Sequence, residues 1–122
     1  PLKKPKFIKV SKLTPEMRGV NLIVKVVKVS EVSEGLSEAV CGDDKGVVTF
    51  RVRGDQVKTC TVGTTLRVQN ARTLMFNGFI RCEVDKWGVM APATEESPGG
   101  KPEFEVDESN DLSAVEYELA EA

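Results

Sequence analysis

The stretch from Gly42 to Gly88 constrains the fold of this 122-residue chain more than any other. It reads GDDKGVVTFRVRGDQVKTCTVGTTLRVQNARTLMFNGFIRCEVDKWG, and apolar and polar residues alternate over three of its runs. Such alternation indicates strands with one buried face. Asn77-Gly78, between two of the runs, is a strong short signal of a β-hairpin. The stretch therefore predicts a strand, a short helical turn capped by Asp55, and two strands joined by a tight turn.

A strongly apolar run, residues 21–32, predicts another strand ahead of this stretch. Lys25 and Lys28 should both face solvent although they are three positions apart, so a β-bulge near Val26 is expected. A second bulge near Asn70 would bring Arg72 and Phe76 onto the outer face. With a further strand at residues 38–42, we predict an all-β fold, a five-stranded Greek-key OB-fold barrel with a short helix between strands 3 and 4. An SH3-like barrel or another small sandwich is the alternative.

Charge divides the chain into a basic body and an acidic tail. Residues 1–92 hold 16 Lys and Arg against 9 Asp and Glu, whereas residues 93–122 hold 1 against 10. We predict a flexible basic arm at residues 1–6, an OB-fold domain at 7–92, a linker at 93–102 and an acidic C-terminal tail at 103–122 that is partly docked on the barrel. Three interpretations of the tail are open. It is a solvated terminus with a docked apolar part, it competes with nucleic acid for the basic body, or it recruits a basic partner protein.

Composition argues against catalysis. The chain has no histidine, which removes the commonest general base and metal ligand. Its three cysteines, Cys41, Cys60 and Cys82, have spacings that fit neither a disulfide framework nor a zinc site, so buried reduced thiols are expected. No apolar run is long enough to predict a membrane span. We predict a protein that is not an enzyme, has no cofactor, metal, membrane or small-molecule substrate, and is nuclear, cytoplasmic or both.

Outward arginines and aromatic residues form the candidate site. Single-stranded nucleic acid needs cations along its phosphates and flat groups on which bases stack. The predicted nucleic-acid-binding residues are Arg51, Arg53, Arg72, Phe76, Arg81, Lys45, Lys86 and Trp87. The lysines near the N-terminus could add phosphate contacts. In the alternative interpretation, Phe79 and Trp87 close one end of the barrel and the arginines are solvated surface.

Three segments of the chain resemble a known family: GDDKGVVTFRVRGDQV, VGTTLRVQNARTLMFNGFIRCEVDKWG and NDLSAVEYE. They are similar to small nucleic-acid-binding OB-fold-like proteins of plants and other eukaryotes. More distantly, they resemble the single-stranded-DNA-binding subunit of the SOSS complex and archaeal single-stranded-DNA-binding proteins. The resemblance implies that bases stack on residues of the third, fourth and fifth strands. By position these are Arg53, Arg72, Phe76 and Glu83, of which Phe76 alone is aromatic here.

We therefore predict a non-catalytic module that binds single-stranded DNA or RNA with low sequence specificity through a basic and aromatic strand face. The alternative is a protein-interaction adaptor, a subunit of a larger complex that uses the OB scaffold and the acidic tail. Three acidic features favour that alternative: Glu83, the acidic tail, and the loop after the first strand with Glu31, Glu34 and Glu38, where a phosphate-binding surface would carry lysine.

Overall fold

A computed structural model describes residues 2–119. Pro1, the first residue of the predicted arm, and residues 120–122, the last three of the predicted tail, lie outside the described residues. The strands are β1 (Val20–Ser33), β2 (Leu36–Asp43), β3 (Gly46–Arg53), β4 (Thr65–Phe76), β5 (Phe79–Glu83) and β6 (Val89–Pro92), and the helix α1 is Asp55–Thr59. Two 3-10 turns are Val10–Lys12 and Leu112–Ala114. Within residues 2–119 no helix is long and apolar enough to cross a membrane.

The strands form one sheet that closes on itself. Their order is β1-β2-β3-β5-β4-β6, and β1 also pairs with β4, which closes a barrel of the first five strands. Every pairing is antiparallel except that of β3 with β5, which is parallel and joins Phe50 to Cys82. The predicted fold class is confirmed, with α1 between the third and fourth strands. The strand count differs by one because β6 adds to the edge of β4.

Both predicted bulges are present. The β1–β2 register shifts between Val26 and Lys28, so the chain bends while Val26 stays in the core. Along β4, Val68 and Ala71 are both buried although they are three positions apart, because Asn70 adopts a positive φ of 57°. The register of β1 with β4 shifts at the same place. Asn70 therefore resets the alternation and turns Arg72 and Phe76 outward.

The core lies inside the barrel and is mainly aliphatic, around Phe50, Leu22, Leu66 and Ile80. All three cysteines are free and buried, as expected. Burial raises the pKa of Cys82 to about 12 and the pKa of Cys41 well above its ordinary value, so both thiols stay protonated.

The C-terminal segment, which we define as residues 103–119, lies outside the barrel, and its residues 110–117 cross where β3 meets β5. Backbone hydrogen bonds join it to the β2–β3 hairpin, from Val47 N to the carbonyl of Asn110 (2.8 Å), and to the β4–β5 hairpin, from Tyr117 N to the carbonyl of Gly78 (2.7 Å). Between them, Ser113 Oγ accepts from Thr49 N (2.9 Å) and donates to the carbonyl of Ile80 (2.6 Å). The division of the chain into arm, domain, linker and tail stays a prediction.

Candidate functional site

One outward face of the barrel gathers most of the predicted site. It spans β2, β3, β5 and β4, and its alternate residues project away from the core. We call it the arginine face and define it by Arg51 and Arg53 of β3, Arg81 and Glu83 of β5, Arg72 and Phe76 of β4, and Glu38 of β2.

Glu83 holds the two exposed arginines of this face. Its Oε1 accepts from Arg72 (2.8 Å) and its Oε2 from Arg53 (3.3 Å), so one carboxylate connects β5 to strands on both of its sides. Burial alone would raise the pKa of Glu83, but the hydrogen bonds from Arg72 and Arg53 outweigh it and lower that pKa. The carboxylate is therefore ionised at neutral pH and fixes both guanidinium groups.

Glu38 holds the other two arginines, which are more buried. Its Oε2 lies 3.0 Å from Arg81 Nε and 3.6 Å from Arg51 Nη1. The side chains of Arg51 and Arg81 are only 12% and 17% exposed, against 57% for Arg53. Arg81 also donates from Nη1 to the carbonyls of Ile80 (3.1 Å) and Ser113 (3.4 Å). Arg81 is thus fixed on three sides, one of them the C-terminal segment.

Phe76 provides the aromatic surface. The guanidinium carbon of Arg51 lies 4.4 Å from the centre of the Phe76 ring, a cation–π contact, and 42% of Phe76 remains exposed. Because the guanidinium lies over the ring, the exposed part of Phe76 is the flat group that remains for a base to stack on.

A groove of about 350 Å³ extends the arginine face toward the segment after β5. Arg51, Arg53, Glu83 and Lys86 are among its lining residues. Lys86 Nζ lies 5.1 Å from the centre of the Trp87 ring, and Trp87 is 75% exposed. The interpretation in which Trp87 closes the barrel end is therefore wrong, because its indole lies at the surface.

Lys45 is not brought to the arginine face. It lies in the β2–β3 turn, and its carbonyl accepts from Asn110 Nδ2 (2.8 Å). Arg53 is at the far end of β3, the strand that follows this turn, and the C-terminal segment crosses β3 between them. Lys9 near the N-terminus also points to this turn, where it pairs with Asp44 (2.8 Å).

The sequence reasoning missed the bridging role of Glu38. A usable signal was present, since counting back from the Asp43–Gly46 turn in an antiparallel hairpin pairs Glu38 with Arg51, as observed. The ion pairs among residues 2–119 use Glu38, Glu83, Asp44 and Asp55, and none uses a carboxylate of the C-terminal segment. Among those residues no three His, Cys, Asp or Glu side chains form a group that could hold a metal ion.

Comparisons with known proteins place this geometry in a family. A family model described as single-stranded DNA binding protein Ssb-like, OB fold, matches residues 13–92. An uncharacterized protein of Arabidopsis thaliana is 36% identical over 96% of this chain and 84% of its own length. The single-stranded DNA binding protein Ssb of Saccharolobus solfataricus is 30% identical, over 72% of this chain and 65% of its own length.

Solved structures agree on the fold. The solution structure of a hypothetical protein from Arabidopsis thaliana superimposes with a TM-score of 0.76 at 34% identity, over 98% of this chain and 91% of that one. The crystal structure of the tetrameric p202 HIN2 has a TM-score of 0.62 at 18% identity, over 73% of this chain and 50% of that one, and shows a similar fold alone. The match of the family model over most of the barrel and the Arabidopsis relative over nearly all of the chain lead to one conclusion: this protein belongs to the Ssb-like OB-fold family.

Proposed function

We propose that the arginine face binds single-stranded nucleic acid with low specificity for the nucleotide sequence. The observation that carries the proposal is the gathering of four arginines and a partly exposed phenylalanine on one outward face, with the Arg51 guanidinium 4.4 Å from the Phe76 ring centre. Cations beside flat stacking groups are what a single strand requires. The family supports it, since the Saccharolobus relative is named as a single-stranded DNA binding protein.

The charges on the arginine face predict moderate affinity. Four arginines are offset by Glu38 and Glu83, which leaves a net charge near +2 on the face. A site that neutralises about two phosphates of a single strand has a log–log salt slope near −1.4, far shallower than that of strongly basic binders. Binding should therefore weaken with salt, but gently.

The direct test is fluorescence anisotropy with labelled mixed-sequence strands of about 20 nucleotides, as DNA and as RNA, at two salt concentrations. Arg53→Ala and Arg72→Ala should each weaken binding and reduce the salt slope by about 0.7, because each removes one phosphate contact. Phe76→Ala should weaken the binding free energy by about 1–3 kcal/mol if a base stacks on the ring. Lys101→Ala is the matched control, since it removes an exposed positive charge beside Phe104 and Glu105, away from the arginine face.

Unchanged affinity in both arginine variants would contradict the assignment of the site to the arginine face. If the parent protein still bound single strands, the proposed function itself would be retained. No binding of folded protein to either kind of strand would favour the adaptor alternative. The C-terminal segment would then be the surface to test, because Val115, Tyr117 and Leu119 are all exposed there.

A further inference from the structure

The arginine face carries two carboxylates that phosphate binding alone does not explain. Each glutamate lies between two arginines, where it would repel an approaching phosphate. Glu83 uses both of its oxygens on arginines. Glu38 instead directs both of its arginine contacts to Oε2, and within residues 2–119 its Oε1 accepts no hydrogen bond. The Glu38 side chain is 23% exposed, and Oε1 is the oxygen with its acceptor capacity left for a ligand.

The surroundings hold the Glu38 carboxylate in place. Arg81 is tied to Glu38 and to the carbonyls of Ile80 and Ser113. On the other side Arg51 reaches from Glu38 to the ring of Phe76. A base that stacks on the exposed part of the Phe76 ring would therefore lie beside Arg51, the arginine that contacts this fixed carboxylate.

Base chemistry selects the ligand. Guanine carries two adjacent N–H donors on its Watson–Crick edge, at N1 and N2. One can donate to the free Oε1 of Glu38 and the other to the acceptor site that Oε2 keeps beside its hydrogen bond from Arg81. Cytosine and adenine place a ring-nitrogen acceptor beside their amino group, and thymine and uracil flank one N–H with carbonyl oxygens, so each would set a lone pair against the carboxylate. Resting on the proposed function, we infer that Glu38 reads guanine at one position. The face, otherwise tolerant of sequence, then prefers single strands in which a guanine stacks on Phe76 beside Arg51.

Removal of one amino group from the base tests the inference. Two labelled oligothymidylate strands are compared, one with a central guanine and one with hypoxanthine, which lacks only the N2 amino group. The protein should bind the guanine strand about tenfold more tightly, the discrimination typical of a paired contact to a base edge. In Glu38→Gln the amide has one acceptor oxygen and no charge, so this preference should fall to near unity.

Glu83→Gln is the matched control. It removes the other carboxylate of the face, whose two oxygens are already occupied, so the guanine preference should remain while binding to both strands tightens. Equal binding of the guanine and hypoxanthine strands by the parent protein would overturn the inference and leave the proposed function intact. Loss of the preference in both variants would overturn the assignment to Glu38, whereas no binding to any strand would overturn the proposed function and the inference together.

Discussion

Glu83 shows how one carboxylate can organise a basic surface. Two like-charged guanidinium groups on neighbouring strands repel each other, and an ionised carboxylate between them removes that repulsion. Arg72 and Arg53 approach separate oxygens of Glu83, so each has its own hydrogen bond. The arrangement stabilises the protein as well as orienting the arginines.

Acid should remove that stabilisation. The pKa of Glu83 in the folded protein lies below its unfolded value of about 4.3. The ionised carboxylate therefore stabilises the fold above that value, and the contribution is lost as the pH falls through the folded pKa. The difference in free energy of unfolding between the parent protein and Glu83→Gln should be constant from about pH 7 to about pH 5 and shrink below about pH 4. Urea denaturation at several pH values in this range measures this difference, with the variant of an exposed residue, Glu31→Gln, as the control. A difference between the parent protein and Glu83→Gln that does not change with pH would contradict the prediction.

At the scale of residues, alternation together with the expected bulge at Asn70 was enough to predict that the four arginines and Phe76 face outward, but it could not predict all of their partners. Arg72 meets Glu83 because the Asn77-Gly78 turn fixes the register of one hairpin. The contacts of Arg53 with Glu83 and of Arg51 with Phe76 cross from β3 to β5 and β4. No turn joins β3 to β5, so these contacts exist only once the barrel has closed.

Among the elements, the bulge at Asn70 decides what β4 presents. The backbone there has a φ of 57°, and two hydrogen bonds hold it: Asn70 N donates to Asn21 Oδ1 (2.9 Å), and Asn70 Nδ2 donates to the carbonyl of Trp87 (3.3 Å). Asparagine tolerates this conformation better than most residues with a side chain. Without the reset, Arg72 and Phe76 would not reach the outer face.

Substitution of Asn70 should separate backbone strain from side-chain bonding. Asn70→Ala should lower the free energy of unfolding by about 1–2 kcal/mol, because alanine pays the left-handed backbone cost and loses the bond to Trp87. Asn70→Gly loses the same bond but adopts the positive φ without strain, so it should cost less. Chemical denaturation of both variants measures the order. An alanine variant as stable as the glycine variant would show that the bulge is not strained.

The predicted strands agree with the structure except at two places: β6 was not predicted, and β2 was predicted too short. β1, β3 and β4 were recognisable from sustained alternation or apolar runs. β6 is four residues long and ends at Pro92, which cannot donate to a ladder and so reads as a loop residue. Only its pairing with β4 makes it a strand. β2 begins two residues earlier than predicted because Leu36 pairs with Arg53 at the open end of the hairpin.

Across the whole molecule, the parallel pairing of β3 with β5 is the shortest pairing in the barrel, and the C-terminal segment covers it. A single residue pair joins these strands. The hydroxyl of Ser113 supplies a bridge between them, from Thr49 N to the carbonyl of Ile80, and residues on both sides of Ser113 bond to the two hairpins. The segment therefore contributes to closure of the barrel, and up to residue 119 none of its carboxylates pairs with the four arginines.

Loss of the Ser113 hydroxyl should weaken this closure. Ser113→Ala leaves a buried N–H and a buried carbonyl without their partner and should lower the free energy of unfolding by about 2 kcal/mol. Ser109→Ala, an exposed serine four positions earlier, is the control and should leave the denaturation midpoint nearly unchanged. The two other interpretations of the segment predict different results. If it shielded the arginine face, Ser113→Ala would bind single strands more tightly at low salt. If it served only to recruit a partner, the two variants would be equally stable.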